Sequence, residues 1–175
     1  MLASLADAPL VDPDLVYEPK YDGIRAIVEI DAKGRVRLWS RLGNEKTHQF
    51  PEIAAAREAG TGRRKPPREL VLDGEIVALD PQGEPAGFQQ LQGRIHVLEA
   101  RPSSPSRPSV AFIAFDILRD GPTDVRDRPL LERRALLERV FAVGTGKRIE
   151  PAILRISEMT PGDGRALYKR ALSSG

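Results

Sequence analysis

Glu18-Pro19-Lys20-Tyr21-Asp22-Gly23-Ile24-Arg25 is the stretch on which this sequence turns. Asp-Gly between apolar segments is a strong signal for a tight turn, because glycine reaches backbone conformations that other residues avoid. It predicts a hairpin whose strands are residues 15–21 and 24–30. The same stretch carries an amine, Lys20, near the end of the first predicted strand and a permanent cation, Arg25, in the second. An amine attacks phosphorus or carbon only when unprotonated, and the reference lysine pKa of ~10.4 falls with burial or nearby positive charge. Taken alone, the segment fits two readings equally well. One is a nucleophile aimed by the end of a strand, and the other is a plain hairpin turn beside a surface lysine.

Outward from this turn, short β-rich runs alternate with breaker clusters. Residues 28–30, the Asp31-Ala32-Lys33-Gly34 turn and Val36-Arg37-Leu38-Trp39-Ser40 predict a second hairpin with alternating character. Pro51 near the start and Gly60 past the end bound a short helix over residues 50–59. Residues 61–69 read as a basic loop. Residues 70–79 read as a strand pair or one bulged strand, with residues 80–85 as the turn that follows. Residues 87–98 read as helical, and residues 101–109, with their prolines and serines, as a surface loop inside one domain. The run from Val110 to Leu118 is apolar until Asp116, which predicts a buried central strand. Over residues 129–143 the spacing sets Leu130, Leu137, Val140 and Phe141 on one helical face and turns Arg133, Arg134 and Arg139 to solvent. Residues 162–173 read as a last helix. No internal repeat is visible.

Composition narrows the chemistry. The chain has 175 residues, 41% hydrophobic and 30% charged, enough for one compact core with a small appendage. Its 27 Lys and Arg against 25 Asp and Glu leave a net charge of +2, so any attraction to phosphates must come from clustering of charge. With no cysteine there is no disulfide framework, thiolate zinc site or cysteine nucleophile. His48 and His96 have no neighbour at metal-ligand spacing and read as surface or loop histidines. The first ten residues carry Asp7, lack a basic start and are too short for a secretory or spanning segment, so the expectation is a cytoplasmic chain.

Three further elements share the chemistry of the first. Ser40-Arg41 ends a strand and offers a second guanidinium suited to phosphate, although a lone arginine there is most often only solvated. Leu72-Asp73-Gly74-Glu75 puts a carboxylate among apolar residues, where it needs a hydroxyl, an arginine or a metal as partner, unless Glu75 simply flanks a turn. Phe115-Asp116 closes the apolar strand, and Phe115 there serves either as core or as a platform for a base.

In this order, the four elements resemble the motifs of the ATP-dependent DNA ligases of the covalent nucleotidyltransferase superfamily. Lys20-Tyr21-Asp22-Gly23-Ile24-Arg25 is similar to their first motif and Ser40-Arg41 to the arginine motif that follows. Leu72-Asp73-Gly74-Glu75-Ile76-Val77 is similar to the third, and Phe115-Asp116-Ile117-Leu118 to the aromatic motif after it. Phe88-Gln89-Gln90-Leu91-Gln92-Gly93-Arg94 and the Met-Leu-Ala opening resemble the bacterial branch linked to end-joining repair, the LigD-like ligases. The likeness runs from about Met1 to the end of the sequence.

The resemblance implies an α+β fold, an ATP-grasp-like nucleotidyltransferase domain of antiparallel sheets flanked by helices. It implies ATP and Mg2+ as cofactors and Lys20 as the nucleophile that takes AMP. Glu18 would help recognise adenine, and Tyr21 belongs to the same nucleotide-binding set. Arg25 and Glu75 would hold the ribose or orient phosphates, with Glu75 also a metal ligand. Phe115 would stack on adenine, and Arg41 would meet the 5′-phosphate at a nick. Nicked or broken duplex DNA is the implied partner, with a Ku-like end-binding protein as a further one, for a nucleoid-associated monomer that needs no membrane. The family would continue past Gly175 into a Glu-Gly strand motif, a later lysine motif and an oligonucleotide-binding barrel. Residues 1–175 are therefore expected to be a C-terminally incomplete adenylation domain, with weak adenylation and no complete ligation. RNA ligases and capping guanylyltransferases share the Lys-x-Asp-Gly motif and form one alternative. The other is a noncatalytic nucleic-acid-binding remnant held by the arginine clusters at 63–68 and 126–139, which predicts salt-sensitive DNA binding.

Overall fold

The computed structural model describes residues 7–60, 69–95, 109–143 and 153–173. They belong to two compact units, Met1–Lys20 with Ser157–Gly175, and Tyr21–Ile156.

The larger unit is built on a seven-stranded sheet. Its two long strands are β4 (Leu70–Leu79) and β6 (Val110–Asp120), antiparallel to each other. β2 (Ile24–Ile30) lies on the other side of β4, and β3 (Val36–Ser40) lies outside β2. The short β5 (Pro85–Ala86) pairs with the end of β4. β7 (Thr123–Asp124) pairs with β6 antiparallel, and β8 (Leu154–Ile156) pairs with it parallel. Two-residue periodicity decides the rest. Ala26, Val28 and Ile30, Leu72, Ile76 and Ala78, and Phe112, Ala114 and Ile117 share one face and bury there. Helix α1 (Pro51–Gly60) adds Ile53, and the residue before it, Phe50, is also buried in this core. Helix α3 (Leu130–Val143) adds Leu137. On the opposite face Val77, Leu79, Ala111 and Ile113 form a smaller buried cluster with Tyr21 packed against it.

The smaller unit is an antiparallel ribbon of β1 (Val11–Tyr17) and β9 (Thr160–Asp163), followed by helix α4 (Arg165–Ser173). Asp163 caps the helix, its carboxylate accepting a hydrogen bond from the Arg165 backbone N–H at 3.0 Å. Gly164 lies against the Tyr17 ring so closely that a Cβ would come within 2.6 Å of it.

Several expectations hold. The second hairpin forms with Ile30 opposite Val36, and its turn closes at Gly34, whose φ of 82° suits glycine. The α1 helix, the buried strand from Val110 and the turn after Leu79, closed by the Asp80 N–H bond to the Glu84 carbonyl, also form. Residues 70–79 are one continuous strand rather than a pair, and the irregularities in its pairing lie in the facing strand β6. Residues 88–95 are helical as expected, a 3-10 turn at Phe88–Leu91 running into a four-residue helix, α2 (Gln92–Ile95), while residues 96–98 lie outside the described residues. The basic loop at 61–68 and the segment 101–108 lie outside the described residues, as does His96, while His48 is exposed.

Others do not hold. Residues 15–21 do not pair with β2; β1 pairs instead with β9. Asp22-Gly23 makes no hairpin turn. The Asp22 carboxylate accepts the Phe88 backbone N–H at 3.0 Å, and Gly23 sits so near the Ile76 carbonyl that a Cβ would come within 2.2 Å of its oxygen. Glycine is needed there for close approach, not for a left-handed turn. The last helix begins at Arg165, since Gly162 belongs to β9. Arg133 and Arg134 do not face solvent but are buried, whereas Arg139 is exposed. Helical periodicity treats an arginine as polar, yet its long stem buries well once its guanidinium finds acceptors.

Candidate active site

The face of the sheet opposite the main core collects polar side chains on neighbouring strands. Register sets Arg25 of β2 opposite Glu75 of β4, and Glu75 opposite Ile113 of β6. From its strand Arg25 reaches Asp73, donating from Nε at 3.0 Å and from Nη2 at 2.6 Å. This two-pronged bond is the main reason the Arg25 guanidinium is held still more firmly protonated than usual; Glu75 and Asp116 act in the same direction by charge. Burial opposes them. The guanidinium carbon also lies 5.5 Å from the centre of the Phe115 ring, within cation–π range.

Phe115 reaches this position through an irregularity. Gly74 pairs with Ala114 and Asp73 with Asp116, so Phe115 is the extra residue of a β-bulge in β6. Gly74 permits the strands to close there, because a Cβ would meet the Ile113 carbonyl oxygen at 2.4 Å and the Phe112 ring at 2.5 Å. Phe115 is half-buried, while Phe112 is fully buried in the main core.

Beside the bulge, Asp116 accepts two hydrogen bonds from Arg133, Nε to Oδ1 at 2.8 Å and Nη2 to Oδ2 at 2.9 Å. Arg133 also donates to the Arg126 and Arg128 carbonyls. Sequence reasoning missed both Asp73–Arg25 and Asp116–Arg133. The available signal was an aspartate inside each apolar strand, since a carboxylate buried in such a run needs an arginine or a comparable donor set. The carboxylate of Leu72-Asp73-Gly74-Glu75 was expected to find a partner, and the buried one that finds an arginine is Asp73, while Glu75 stays half-buried.

The structure thus brings Arg25, Glu75 and Phe115 together and packs Tyr21 on the apolar cluster of the same face. Arg41 is exposed in the Ser40–Asn44 turn; pairing of Ala26 with Ser40 puts that turn at the Arg25 end of β2. Glu18 and Lys20 close the smaller unit, Lys20 exposed in irregular backbone and covalently next to Tyr21. Arg94 serves elsewhere. It is buried, paired with Glu52 of α1, and stacked 5.3 Å from the centre of Phe50, where it ties α2 to α1. Among the described residues, no group of three or more His, Cys, Asp or Glu gathers to hold a metal ion, and no helix is long and apolar enough to cross a membrane.

The family profile described as ATP dependent DNA ligase domain matches residues 1–172. This chain belongs to the ATP-dependent DNA ligase domain family. It is 41% identical over 138 residues to DNA ligase C of Mycobacterium tuberculosis, a match covering 78% of this chain and 36% of that protein. It is also 34% identical over 151 residues to a probable DNA ligase of Koribacter versatilis, covering 83% of this chain and 25% of that one. Among solved structures it is similar to mycobacterial DNA ligase D complexed with ATP and MES, at 31% identity and a TM-score of 0.67. The ligase domain of M. tuberculosis LigD is similar too, at 30% identity and the same TM-score; each match covers 91% of this chain and 44% of the solved chain. The α+β fold of antiparallel strands and flanking helices is the fold of these ligase domains. The chain spans from a quarter to just over a third of the length of the relatives named here.

Proposed function

We propose that this chain works as the adenylation domain of an ATP-dependent DNA ligase, with Lys20 as its nucleophile. The Lys20 amine attacks the α-phosphorus of ATP, and the P–N bond of a lysyl-AMP forms as the bond to pyrophosphate breaks. AMP then passes to the 5′-phosphate of nicked or broken duplex DNA, and the adjoining 3′-hydroxyl displaces it to seal the strand. Phe115 stacks on adenine, Glu18 helps select it, and Tyr21 belongs to the same nucleotide-binding set. Arg25, its guanidinium aimed by Asp73, acts with Glu75 on the ribose and phosphates, and Arg41 meets the 5′-phosphate. A magnesium ion would neutralise the leaving pyrophosphate, with Glu75 as its carboxylate. Among the described residues no group of three or more His, Cys, Asp or Glu stands ready for such an ion.

The observation that carries this reading is the Arg25–Phe115 contact on the sheet face that also holds Glu75. Three motif residues far apart in sequence meet there, in a chain of this family. In this reading residues 1–175 are part of the adenylation domain and the oligonucleotide-binding barrel lies outside them. The same reading places its work in strand-break repair at the nucleoid, as a monomer recruited by a Ku-like end-binding protein.

The test is incubation with α-labelled ATP and magnesium, read by denaturing gel and intact mass. The expected result is a covalent AMP adduct that Lys20→Ala loses. An adduct that survives in Lys20→Ala removes Lys20 as the nucleophile. No adduct, either here or in a version extended past Gly175, would overturn the enzymatic reading and leave salt-sensitive DNA binding as the activity to measure.

A further inference from the structure

Arg133 is a buried cation 17 positions from the carboxylate it grips, on the helix that follows the site strand. It donates to both oxygens of Asp116 and to the carbonyls of Arg126 and Arg128, so it joins β6 to the segment that leads into α3. Asp116 is the residue directly after Phe115, and it closes the bulge by pairing with Asp73 across β4. Two aspartates therefore meet in register, one held by Arg25 and the other by Arg133. Without Arg133, the Asp116 carboxylate would lose both of these side-chain hydrogen bonds, and with them the tie that holds the strand beside Phe115.

We propose that Arg133 is a positioning residue for the nucleotide: by holding Asp116 it fixes the bulge that presents Phe115. The proposal rests on the reading of Phe115 as the adenine platform. Arg133 is buried and gives four hydrogen bonds, to Asp116 and two carbonyls, so its effect on a ligand runs through Asp116. The aromatic face should lose its fixed position when Arg133 is replaced, whereas the phosphate-directed groups on β2 and β4 should keep theirs.

The experiment compares the chain with Arg133→Lys, which keeps the charge but cannot grip both carboxylate oxygens in plane. Phe115→Leu and the double variant complete the set. The rate of lysyl-AMP formation is followed against ATP concentration, inorganic tripolyphosphate serves as a competitor that lacks the base, and thermal melting reports folding. The expected result is that Arg133→Lys raises KM for ATP about tenfold, the order of one lost base–aromatic stack, with kcat nearly unchanged. Inhibition by tripolyphosphate should stay as in the parent, and adding Phe115→Leu should cost little more. A folded Arg133→Lys with the parent KM would overturn the proposal, as would equal loss of ATP and tripolyphosphate binding, which marks general disorder. If the parent itself forms no adduct and Phe115→Leu leaves ATP binding unchanged, the functional reading fails, and this proposal with it. Should Arg133→Lys not fold, Asp116→Asn, which removes the charge and keeps the shape, carries the same expectations.

Discussion

Asp73 is only 6% exposed, and a carboxylate so placed is tolerated because Arg25 gives it two hydrogen bonds. Removing the acceptor leaves a part-buried guanidinium without its main partner. Asp73→Ala should therefore destabilise the chain by about 2 kcal/mol, measured as a shift of the urea midpoint at constant slope. A double-mutant cycle with Arg25→Ala should show a coupling of about 1–3 kcal/mol. At Gly74 a methyl would strike the Ile113 carbonyl and the Phe112 ring, both fixed by the sheet. Gly74→Ala should cost about 1–3 kcal/mol and weaken ATP binding through the displaced bulge, both measurable on one purified variant. The short motifs that hold Lys20, Arg25, Arg41, Glu75 and Phe115 were legible along the chain, and three of these residues, Arg25, Glu75 and Phe115, meet on one sheet face. The aspartate partnerships were not, because Arg25 and Asp73 are separated by 48 positions and Arg133 was read by periodicity as a solvent-facing residue.

At the scale of elements, local pattern served where neighbours in sequence are neighbours in space, as in the β2–β3 hairpin and the α1 helix. It failed at β1, because a strand's choice between an adjacent and a remote partner leaves no mark in its own residues. The bulge at Phe115 was equally invisible, since a run of apolar residues gives no hint of which one lacks a partner. Helix α4 offers an electrostatic test. Asp163 accepts hydrogen bonds from the Arg165 side chain and backbone, which draw its carboxyl down to about 2. An unfolded aspartate titrates near ~3.9, so the folded value lies below the unfolded one. The cap's contribution is therefore complete above ~3.9 and lost as pH falls through about 2. Protection of the first α4 amides from hydrogen exchange should decline over that window. Asp163→Asn should abolish the decline while keeping the cap, and Arg165→Ala should move the Asp163 midpoint upward, as read by carboxyl NMR.

For the molecule as a whole, the two units differ in how their backbone is secured. β4 and β6 are hydrogen-bonded on both sides within a seven-stranded sheet, whereas β1 and β9 form an isolated pair, an arrangement of marginal stability. Hydrogen exchange should accordingly find the amides of Leu72, Ile76 and Phe112 among the slowest, and those of Val16 and Tyr17 among the first to open. Equal protection in both units would contradict this. The ribbon also joins distant parts of the chain, with Val11 beside Asp163 and Tyr17 beside Thr160, so the whole sheet unit is an insertion between its two strands. During synthesis the first strand leaves the ribosome long before its partner exists, while the sheet unit can close from its own residues. The loop-closure penalty, which grows only with the logarithm of the intervening length, is already met once that insertion has condensed. Lys20, at the seam where the first strand hands over to the insertion, is thus among the last parts of the molecule to be tied down. On the proposed function, a nascent chain would acquire its platform for the base before its attacking amine is secured.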